Sequence, residues 1–329
     1  MNIVYGPVPS WRFGRSLGVD VILKPKTCSF NCIYCQLGRT QVYVPRPMLL
    51  SSKVTPVMVR RELERNLKFI DVKTIDVVTI SGLGEPTLNI WLKDIAKTVK
   101  EYLSKPLIIL TNSSTIYLTK VKEALLEFDM VCAKLDAGNN ECFRIINRPH
   151  PKVPRIEDIV YELKRFNKQY TGSLALQIML VKLKNGFSNA SKPMIDNIVN
   201  YARIIEPKII QLSTPHRPPQ EEYVEPLTMD ELVKVMRYFL NYFPRNSLWV
   251  YGLHDLSKRK VKYIKVTDLE NAILNLLRRR PCTLNDIQNV FSTIDESLIK
   301  HILCKLANEG KIMKISRNNR EYYIVKAIN

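Results

Sequence analysis

Three of the seven cysteines lie within eight residues of this 329-residue chain, at the spacing C-x3-C-x2-C. They are Cys28, Cys32 and Cys35. Thiolates this close together can bind one soft metal centre, and iron–sulfur clusters are held by short runs of this kind. Three protein ligands leave one iron of a four-iron cluster open to another molecule. The spacing therefore predicts an iron–sulfur cluster with an open coordination position.

Two other uses of the cysteines are weaker. A structural zinc site needs four Cys or His ligands, and the histidines lie far along the chain. They are His150, His216, His254 and His301. A disulfide framework is typical of short, cysteine-rich chains from oxidising compartments, and this chain is long and poor in cysteine. Cys132 and Cys142 have no third cysteine nearby, so we expect core residues there rather than a second cluster.

The residue before the last cysteine of the loop is Tyr34. The resulting pattern, C-x3-C-x-aromatic-C, resembles the signature of the radical S-adenosylmethionine (SAM) superfamily. The resemblance implies that the three cysteines hold a [4Fe-4S] cluster, that SAM chelates the fourth iron, and that Tyr34 lies at the cofactor site. It also implies that the reduced cluster cleaves SAM to methionine and a 5′-deoxyadenosyl radical. The electron would come from a reductant such as ferredoxin or flavodoxin.

The segment from Gly6 to Leu23, together with the cysteine loop, resembles one particular group within that superfamily. These are stand-alone prokaryotic proteins related to the radical SAM enzymes of tRNA wybutosine synthesis, and the resemblance covers residues 5–220. The wybutosine enzymes carry further cysteines upstream for a second cluster, whereas residues 1–27 of this chain contain none. The resemblance therefore implies the cofactors and leaves the specific reaction open.

The composition points to an anionic partner. Fifty Lys and Arg residues against 31 Asp and Glu give a net charge of +19, which attracts polyanions. Nucleic acid, RNA more than DNA, is the predicted partner class, and a basic surface that is merely solvated is the alternative. No run approaches about eighteen consecutive apolar residues, and the first residues lack a secretory signal pattern. We therefore expect a soluble, cytoplasmic protein without membrane contact.

Apolar periodicity after residue 56 alternates between helices and strands, as in a parallel α/β protein. The predicted strands are Gly18–Leu23, Thr74–Ile80, Leu107–Thr111, Met130–Leu135, Leu174–Val181 and Ile209–Leu212. The predicted helices are Val57–Phe69, Leu88–Leu103, Leu118–Phe128, Ile156–Phe166 and Pro193–Ile205. Segment Gly6–Gly18 is rich in turn formers, so we expect no regular element there. Six strands and the superfamily resemblance together imply an incomplete (β/α)6 barrel, whose ligands collect at the C-terminal ends of the strands.

The loop after the second predicted strand, Ser81–Thr87, carries Gly82, Leu83, Gly84 and Glu85. Glycines allow the backbone to approach a ligand closely. The loop resembles the G-G-E motif of the superfamily, with Leu83 at the position of the middle glycine. This resemblance implies that the loop binds the amino group of SAM, and an ordinary turn is the alternative.

Three further polar residues lie at or near the ends of predicted strands. Asn112 follows the third strand and offers an amide to a ribose or carboxylate, or it belongs to a helix N-cap region. Asp136 follows the fourth strand near Lys134, and it either contacts SAM or forms an ion pair that closes the barrel. Gln177 in the fifth strand either contacts the cofactor or satisfies its neighbours. All three are therefore candidate SAM contacts.

Two proline-rich loops, Asn147–Pro151 and Thr214–Pro219, carry arginine and histidine side chains. Proline fixes the backbone torsion φ and makes such loops rigid. We expect these loops either to contact the substrate or to be ordinary surface loops.

The sequence changes character after Leu253. A basic run, Ser257–Lys265, is followed by three predicted helices and two strands, an order that resembles a winged helix-turn-helix. The helices are Leu269–Arg279, a short helix capped by Thr283 and ending at Val290, and Glu296–Asn308, and the strands are Lys311–Ser316 and Glu321–Val325. We therefore divide the chain into a radical SAM barrel domain, residues 1–255, and a small α+β winged-helix domain, residues 256–329.

This C-terminal stretch is strongly basic, because residues 258–329 hold fifteen Lys and Arg against seven Asp and Glu, a net charge of +8. In helix-turn-helix modules the second helix of the motif enters a groove of the duplex. Lys300, His301 and Lys305 are therefore the candidates for nucleic-acid contact. Two basic patches are predicted to flank them, one at Lys258, Arg259, Lys260 and Lys262 and the other at Arg317 and Arg320 of the wing tip.

Together these features predict a radical SAM enzyme that modifies an RNA, tRNA or tRNA-like, held by the C-terminal domain. A radical SAM enzyme that modifies a peptide or protein is one alternative, with the winged helix as the peptide-docking module. A redox-responsive iron–sulfur regulator that binds DNA is the alternative from another class. The glycine–glutamate loop favours the enzyme, because a pure sensor has no use for a SAM site.

Overall fold

The computed structural model of the chain describes residues 2–51, 53–257, 268–317 and 319–326. Its strands are β1 (Val4–Ser10), β2 (Gly14–Asp20), β3 (Thr27–Cys28), β4 (Val42–Tyr43), β5 (Val77–Ser81), β6 (Leu107–Thr111), β7 (Met130–Lys134), β8 (Ser173–Met179), β9 (Val181–Leu183), β10 (Ile209–Ser213), β11 (Val224–Pro226), β12 (Leu248–Val250), β13 (Ile312–Arg317) and β14 (Arg320–Val325). Its helices are α1 (Pro56–Asn66), α2 (Leu92–Tyr102), α3 (Thr119–Leu125), α4 (Asn140–Ile146), α5 (Ile156–Gln169), α6 (Lys192–Ile205), α7 (Met229–Phe239), α8 (Leu269–Leu277), α9 (Leu284–Val290) and α10 (Glu296–Asn308). Short 3₁₀ helices cover Leu67–Phe69, Val72–Thr74, Pro86–Leu88 and Arg245–Ser247.

Eight of the strands form one sheet in the order β1-β2-β5-β6-β7-β8-β10-β12. Within this sheet, β1 is antiparallel to β2, and every other pair of neighbouring strands is parallel. The sheet curls into a partial barrel, which confirms the predicted α/β class and the incomplete barrel. All six predicted parallel strands are present. Strand β12, which was not predicted, adds a seventh.

The prediction of an irregular opening segment over Gly6–Gly18 is wrong, because β1 and β2 form an antiparallel hairpin there. As a result β2 also begins and ends earlier than the predicted strand Gly18–Leu23. Strand β1 lies at the edge of the sheet, where proline is tolerated because one side of the strand needs no partner. The register of the hairpin shifts between Tyr5 and Val8, and Pro7 lies in that irregular stretch.

Side chains alternate between the two faces of the sheet, as strand geometry requires. One face packs against the helices and forms the main core, in which Val78, Ile109 and Val131 are fully buried. The other face lines the inside of the partial barrel and carries a smaller apolar cluster closed by a residue of the β1–β2 turn. That cluster is Phe13, Val77, Ile108, Cys132, Ala175 and Ile209. Cys132 and Cys142 are both buried, which confirms their assignment as core residues.

The elements α8, α9, α10, β13 and β14 form a separate unit, called here the C-terminal module. Its own apolar core takes side chains from all three helices and from β13: Ile273, Leu277, Ile287, Ile299, Leu303 and Ile312. Asp268, Thr283 and Asp295 cap the helices by accepting hydrogen bonds from backbone N–H groups. The predicted order of three helices and a hairpin is confirmed. Within the described residues, no helix has both the length and the apolar character needed to cross a membrane.

A buried ion pair fastens the C-terminal module to the barrel. Arg279 Nε donates to Asp20 Oδ2 at 2.7 Å, and the two side chains are 6% and 3% exposed. The Arg279 guanidinium also lies 3.9 Å from the centroid of the Tyr5 ring and donates to the carbonyl oxygens of Asn2 and Asn275. We refer to Asp20 and Arg279 as the latch. It joins α8 to the end of β2 beside the edge strand.

The basic patches predicted around the module differ in outcome. Lys258, Arg259, Lys260 and Lys262 lie outside the described residues. Arg317, predicted to belong to the basic patch of the wing tip, donates from Nη2 to Glu222 O at 2.6 Å and to Val224 O at 3.3 Å. Arg317 therefore holds the hairpin against the loop and strand β11 of the barrel. Arg320, in β14, keeps an exposed side chain.

Candidate active site

The three predicted cluster cysteines lie in the connection between β2 and α1. Cys32 is buried, and Cys28 and Cys35 are partly exposed. Each sulfur accepts a hydrogen bond from a side-chain nitrogen: Cys28 from Asn112 at 3.5 Å, Cys32 from Asn147 at 3.6 Å, and Cys35 from Lys26 at 3.2 Å. Hydrogen bonds to sulfur are one of the features that set the reduction potential of an iron–sulfur cluster. The loop thus brings together three thiols and three donors directed at them.

Burial makes two of these thiols poor acids when no cation is near. It raises the pKa of Cys32 to about 11, an effect to which the neighbouring Cys35 adds. It also raises the pKa of Cys28 well above its usual range, with Glu85 and Cys32 contributing. A metal centre reverses this balance, because its positive charge deprotonates the thiols that bind it. The soft, three-thiol donor set therefore fits the predicted cluster.

A cluster and a single ion make different demands on this loop. Within the described part of the chain, no group of three His, Cys, Asp or Glu side chains is arranged to hold a metal ion. In a four-iron cluster each thiolate binds its own iron, so the sulfurs need not converge on one point.

The glycine–glutamate loop is hydrogen-bonded directly to the start of the cysteine loop. Thr27 N donates to Leu83 O at 3.0 Å, and Glu85 N donates to Thr27 O at 3.1 Å. Between them, Gly84 has a φ of +149°, and a Cβ there would lie 1.6 Å from Thr27 O. A side chain at this position would therefore separate the two loops. Gly82 also lies against the backbone that follows β2, since a Cβ there would lie 2.9 Å from Ile22 N.

Glu85 is 2% exposed, and both of its carboxylate oxygens are engaged. Oε1 accepts from Thr87 N at 3.1 Å, Thr87 Oγ1 at 2.7 Å and Thr111 Oγ1 at 2.6 Å, and Oε2 accepts from Asn112 N at 2.6 Å. Burial raises the pKa of this carboxyl, and these hydrogen bonds oppose the rise. We refer to Glu85, Thr87, Thr111 and Asn112 as the rim network. It fixes Asn112, whose amide reaches Cys28.

Asp136 forms a second buried network on the other side of the cysteine loop. It is 1% exposed, and its Oδ2 accepts hydrogen bonds from the Tyr34 hydroxyl and from Asn147 Nδ2, the latter at 2.7 Å. Lys134 Nζ lies 3.8 Å from the same oxygen, so the ion pair considered from the sequence is present. Burial, reinforced by Asp136, holds the pKa of Tyr34 well above its usual range, so its hydroxyl acts as a donor.

Gln177 and the two proline-rich loops lie in different surroundings. Gln177 Nε2 donates to Gln211 Oε1 at 3.4 Å on the inner face of the barrel, without a described contact to the cysteines. The loop Asn147–Pro151 packs on the cysteine loop, since His150 N donates to Ser29 O at 2.9 Å. The loop Thr214–Pro219 instead meets the C-terminal module. Of the predicted residues, Asn112, Tyr34, Glu85 and Asp136 therefore gather around the cysteines, and Gln177 does not.

Two residues were not predicted to contact the cysteines, Lys26 and Asn147, although Asn147 begins one of the two proline-rich loops named from the sequence. Lys26 is 6% exposed and donates to Gly38 O as well as to Cys35. Its position two residues before Cys28 was the available signal. Asn147 follows α4, a helix that was not predicted, and its amide contacts Cys32 and Asp136. A strand-end pattern cannot identify it because it lies at the end of a helix.

Comparisons with known proteins agree with this geometry. Residues 22–181 match the Radical SAM superfamily. The chain is 32% identical over 326 residues to the UPF0026 protein of Helicobacter pylori, an alignment that covers 98% of this chain and 97% of the relative. The chain belongs to the UPF0026 family. This UPF0026 protein is also 35% identical over 312 residues to a Brachyspira hyodysenteriae protein named GTPase Obg, and it spans 43% of the length of that protein.

Among solved structures, a radical SAM methyltransferase from Sphaerobacter thermophilus aligns with 71% of this UPF0026 chain and 66% of its own, at 14% identity and a TM-score of 0.47. The superfamily match contains the cysteine loop, Glu85 and Asp136. Residues 22–181 therefore form a radical SAM domain, and enzymes with this domain use a [4Fe-4S] cluster and SAM as cofactors. The C-terminal module lies outside the superfamily match, but the alignment with the Helicobacter pylori relative extends over almost the whole chain.

Proposed function

We propose that this UPF0026 protein modifies an RNA, with tRNA-like molecules as the first substrates to test. The observation that supports this proposal is the basic C-terminal module docked beside the opening of a radical SAM barrel. Residues 258–329 carry a net charge of +8, and phosphate contacts dominate the affinity of proteins for nucleic acids. The resemblance to the group related to the wybutosine enzymes points in the same direction.

The residues around the cysteine loop have definite roles under this proposal. Cys28, Cys32 and Cys35 would hold the cluster, which when bound supplies the electron that cleaves SAM to methionine and a 5′-deoxyadenosyl radical. The loop of Gly82, Leu83, Gly84 and Glu85 would meet the SAM ammonium, and Asn112, Tyr34, Asp136 and Gln177 are the further proposed contacts. A ferredoxin or flavodoxin is the proposed reductant. The buried networks around Glu85 and Asp136 keep the loop in place and exclude water from the thiols.

The module itself offers a groove of about 830 Å³ between α9, α10 and the hairpin. Lys300, Lys314 and Arg320 line it. Lys300 pairs with Glu296 at 2.7 Å and Lys314 with Glu321 at 3.2 Å. Exposed pairs of this kind contribute about 0–1 kcal/mol, so both lysines can exchange their partners for phosphates. This supports a winged-helix module, residues 256–329, that holds the RNA while the barrel, residues 1–255, carries the chemistry.

The same groove favours one second candidate, a peptide substrate. Its lining includes Leu284, Leu303, Ala307 and Tyr323, and an apolar groove of this size suits an amphipathic helix or an extended peptide. Under that candidate function, the module would dock a peptide and present it to the barrel.

The test is capture of substrate by the full chain under anaerobic conditions. Protein with an intact cluster is mixed with cell extract, purified, and its bound RNA and peptides are identified by sequencing and mass spectrometry. We expect enrichment of specific RNAs, and a mass change in their nucleosides after incubation with SAM and reductant. The Cys32→Ala variant is the matched control, because it keeps the module and should capture RNA without changing it.

A second variant separates binding from chemistry. Lys300→Glu with Lys314→Glu should weaken RNA capture while leaving the iron content unchanged. Enrichment of a defined peptide without RNA would replace the RNA proposal with the peptide candidate. Capture of neither, from an active preparation that cleaves SAM, would contradict both.

A further inference from the structure

Three arginines and a histidine meet where the barrel opening faces the C-terminal module. Arg12 lies in the turn between β1 and β2, His216 and Arg217 follow β10, and Arg280 follows α8. We refer to these four residues as the cation cluster. Three separate parts of the fold thus contribute to it, and only one of them belongs to the module.

The cluster is held by contacts across the interface. The Tyr322 hydroxyl of β14 donates to His216 O at 3.1 Å, and the His216 ring stacks on Tyr251 at 4.6 Å between centroids. Trp11, next to Arg12, packs edge-on against the same Tyr251 ring at 5.7 Å. Tyr251 therefore links the hairpin turn to the loop after β10.

The arginines of the cluster are half-buried and short of hydrogen-bond partners, although the Arg12 guanidinium lies 4.5 Å from the centroid of the Trp11 ring. The Nε atoms of Arg12, Arg217 and Arg280 are buried and have no hydrogen-bond partner among the described residues. Arg217 contacts the His216 ring nitrogen Nε2, and its one acidic neighbour in the described chain is Asp286, at 3.7 Å. No described acid pairs with the Arg12 or Arg280 guanidinium. The Arg217 side chain is 14% exposed, so few water molecules can take the place of the missing hydrogen-bond partner.

Two other arginines of the same chain, one in the barrel and one in the module, have all the hydrogen-bond partners they need. Arg15, also in the hairpin, donates to Asp76 Oδ2 from Nε at 3.2 Å and to Oδ1 from Nη2 at 2.9 Å. Arg279, next to Arg280, is fully engaged in the latch. The lack of hydrogen-bond partners is therefore specific to the cation cluster, because other arginines of this fold have theirs.

Uncompensated charge at this interface opposes docking of the module. Burial and the charge of Arg217 lower the pKa of Arg12 to about 10. Burial and the charges of Arg217, Arg12 and Arg280 hold the pKa of His216 well below its usual range, so that ring is neutral near pH 7. Three guanidinium groups and the Asp286 carboxylate leave the site with a charge of +2. Removing such a charge from water without a counter-ion is strongly unfavourable.

We propose that the cation cluster binds a phosphate monoester group at the junction of barrel and module. A monoester carries a charge of about −2 at neutral pH, which balances the +2 of the site. Planar guanidinium groups recognise phosphate through paired hydrogen bonds. The site does not depend on which molecule carries the phosphate, so it goes beyond the proposal of an RNA substrate. Because Arg280 comes from the module, the ligand would also stabilise the docked arrangement.

The test uses inorganic phosphate as the probe on the full chain. Binding is measured by calorimetry and by the shift in thermal unfolding, against chloride at equal ionic strength. Wild type should bind phosphate and unfold at a higher temperature, and Arg217→Gln should weaken binding about ten- to a hundred-fold, as expected for loss of charge-assisted hydrogen bonds. Arg15→Gln is the matched control, because it removes a hairpin arginine that already has a partner, and it should bind phosphate like wild type.

A second variant guards against misfolding. Arg217→Lys keeps the positive charge but loses the planar guanidinium group that forms paired hydrogen bonds. This variant should fold, and it should bind phosphate more weakly than wild type. Two oligonucleotides then identify the source of the phosphate, one with a 5′-phosphate and the same sequence with a 5′-hydroxyl. Preference for the 5′-phosphate assigns the site to an RNA end, and binding of inorganic phosphate with no competition from either oligonucleotide assigns it to a smaller phosphate ester.

Three results would overturn the proposal. In the first, phosphate binds and stabilises wild type no better than chloride. In the second, Arg15→Gln loses as much affinity as Arg217→Gln. In the third, the 5′-hydroxyl oligonucleotide competes for the site as well as its phosphorylated counterpart, which would make the cluster a contact for backbone diesters. Capture of RNA by the module tests the RNA proposal separately, through Lys300 and Lys314.

Discussion

The rim network lies within the barrel and the cation cluster lies at the junction of barrel and module, and these two charged regions differ in how their hydrogen bonds are met. In the rim network, the two oxygens of Glu85 accept four hydrogen bonds from three neighbours. In the cation cluster, three arginine Nε atoms have no partner within the described chain. Buried polar groups are nearly always satisfied in native proteins, so the second region stands out against the first.

The difference indicates two ways of building a binding site. A satisfied network is rigid, and it places neighbouring groups, such as the Asn112 amide beside Cys28, where a cofactor needs them. An unsatisfied cluster holds charge that only a ligand or solvent can balance, so its affinity for a suitable anion is high. The first site is prepared by the protein alone, whereas the second is completed by what it binds.

The largest expected effect concerns the thiols beside the rim network. Cys28→Ala, Cys32→Ala and Cys35→Ala should each abolish stable binding of about four iron and four sulfide per chain, because two thiolates leave the cluster under-coordinated. Iron and sulfide analysis with visible absorption after anaerobic reconstitution measures this. Cys142→Ala, which changes a buried cysteine of the core, is the control and should keep the cluster. Full iron occupancy in Cys32→Ala would disprove the assignment of the loop.

The next effect concerns the latch, in which Arg279 has hydrogen-bond partners that its neighbour Arg280 in the cation cluster lacks. Arg279→Met should destabilise the protein by about 3–5 kcal/mol, because it leaves the Asp20 carboxylate buried without a partner. Urea unfolding followed by circular dichroism measures the change. Arg278→Met, at the neighbouring and half-buried position, should cost far less.

The double variant sharpens this result. Asp20→Asn with Arg279→Met removes both charges, and it should recover part of the stability that Arg279→Met loses. A loss below about 1 kcal/mol for Arg279→Met would mean that the latch behaves like an exposed pair. In that case, the ion pair with Asp20 would not explain why Arg279 differs from the arginines of the cation cluster.

A third prediction tests whether the rim network touches SAM. Glu85→Gln keeps the shape of the side chain but loses the charge, so SAM should bind about ten- to a hundred-fold more weakly if its ammonium contacts this carboxylate. Equilibrium dialysis on protein with an intact cluster measures the affinity. Glu162→Gln, which removes a carboxylate far from the site, is the control. Normal SAM binding by Glu85→Gln would limit Glu85 to holding Asn112 and Thr111 in place.

The two regions also differ in how far the sequence predicted them. The cysteine spacing, the glycine–glutamate loop and the strand periodicity are local patterns, so they are enough to locate the six parallel strands, Cys28 and Glu85. The β1–β2 hairpin was missed because its prolines argue against a strand. Those local preferences were overridden by pairing at a sheet edge, where one side of the strand needs no hydrogen bonds.

The cation cluster and the latch could not have been found in this way. Arg12 and Arg280 are separated by most of the chain, and only the docking of the module beside β1 brings them together. The loop with His216 and Arg217 was singled out for its residue types, but its partners were not. Lys26 and Asn147 reach the cysteines through the tertiary fold, and no spacing rule links Asn147 to Cys32.

The smallest expected effect uses His216 to report on the charge around it. Burial, and after it the charges of Arg217, Arg12 and Arg280 that face this ring, hold the pKa of His216 well below the ordinary value near 6.5. Below pH 6.5 the unfolded chain therefore binds a proton that the folded protein does not, so the free energy of unfolding falls as the pH falls. Wild type should lose about 1.4 kcal/mol more than His216→Gln between pH 7.5 and 5.5.

Urea unfolding at the two pH values measures this difference, and His150, His254 and His301 cancel because both proteins contain them. Repeating the experiment with inorganic phosphate distinguishes a neutralised cluster from a bare one. A bound anion offsets the arginine charges, so the pKa of His216 moves back toward its ordinary value and the difference between the two proteins shrinks. An equal difference with and without phosphate would mean that burial alone, and not the charge of the arginines, lowers the pKa of His216. The cation cluster would then not differ from the rim network in uncompensated charge.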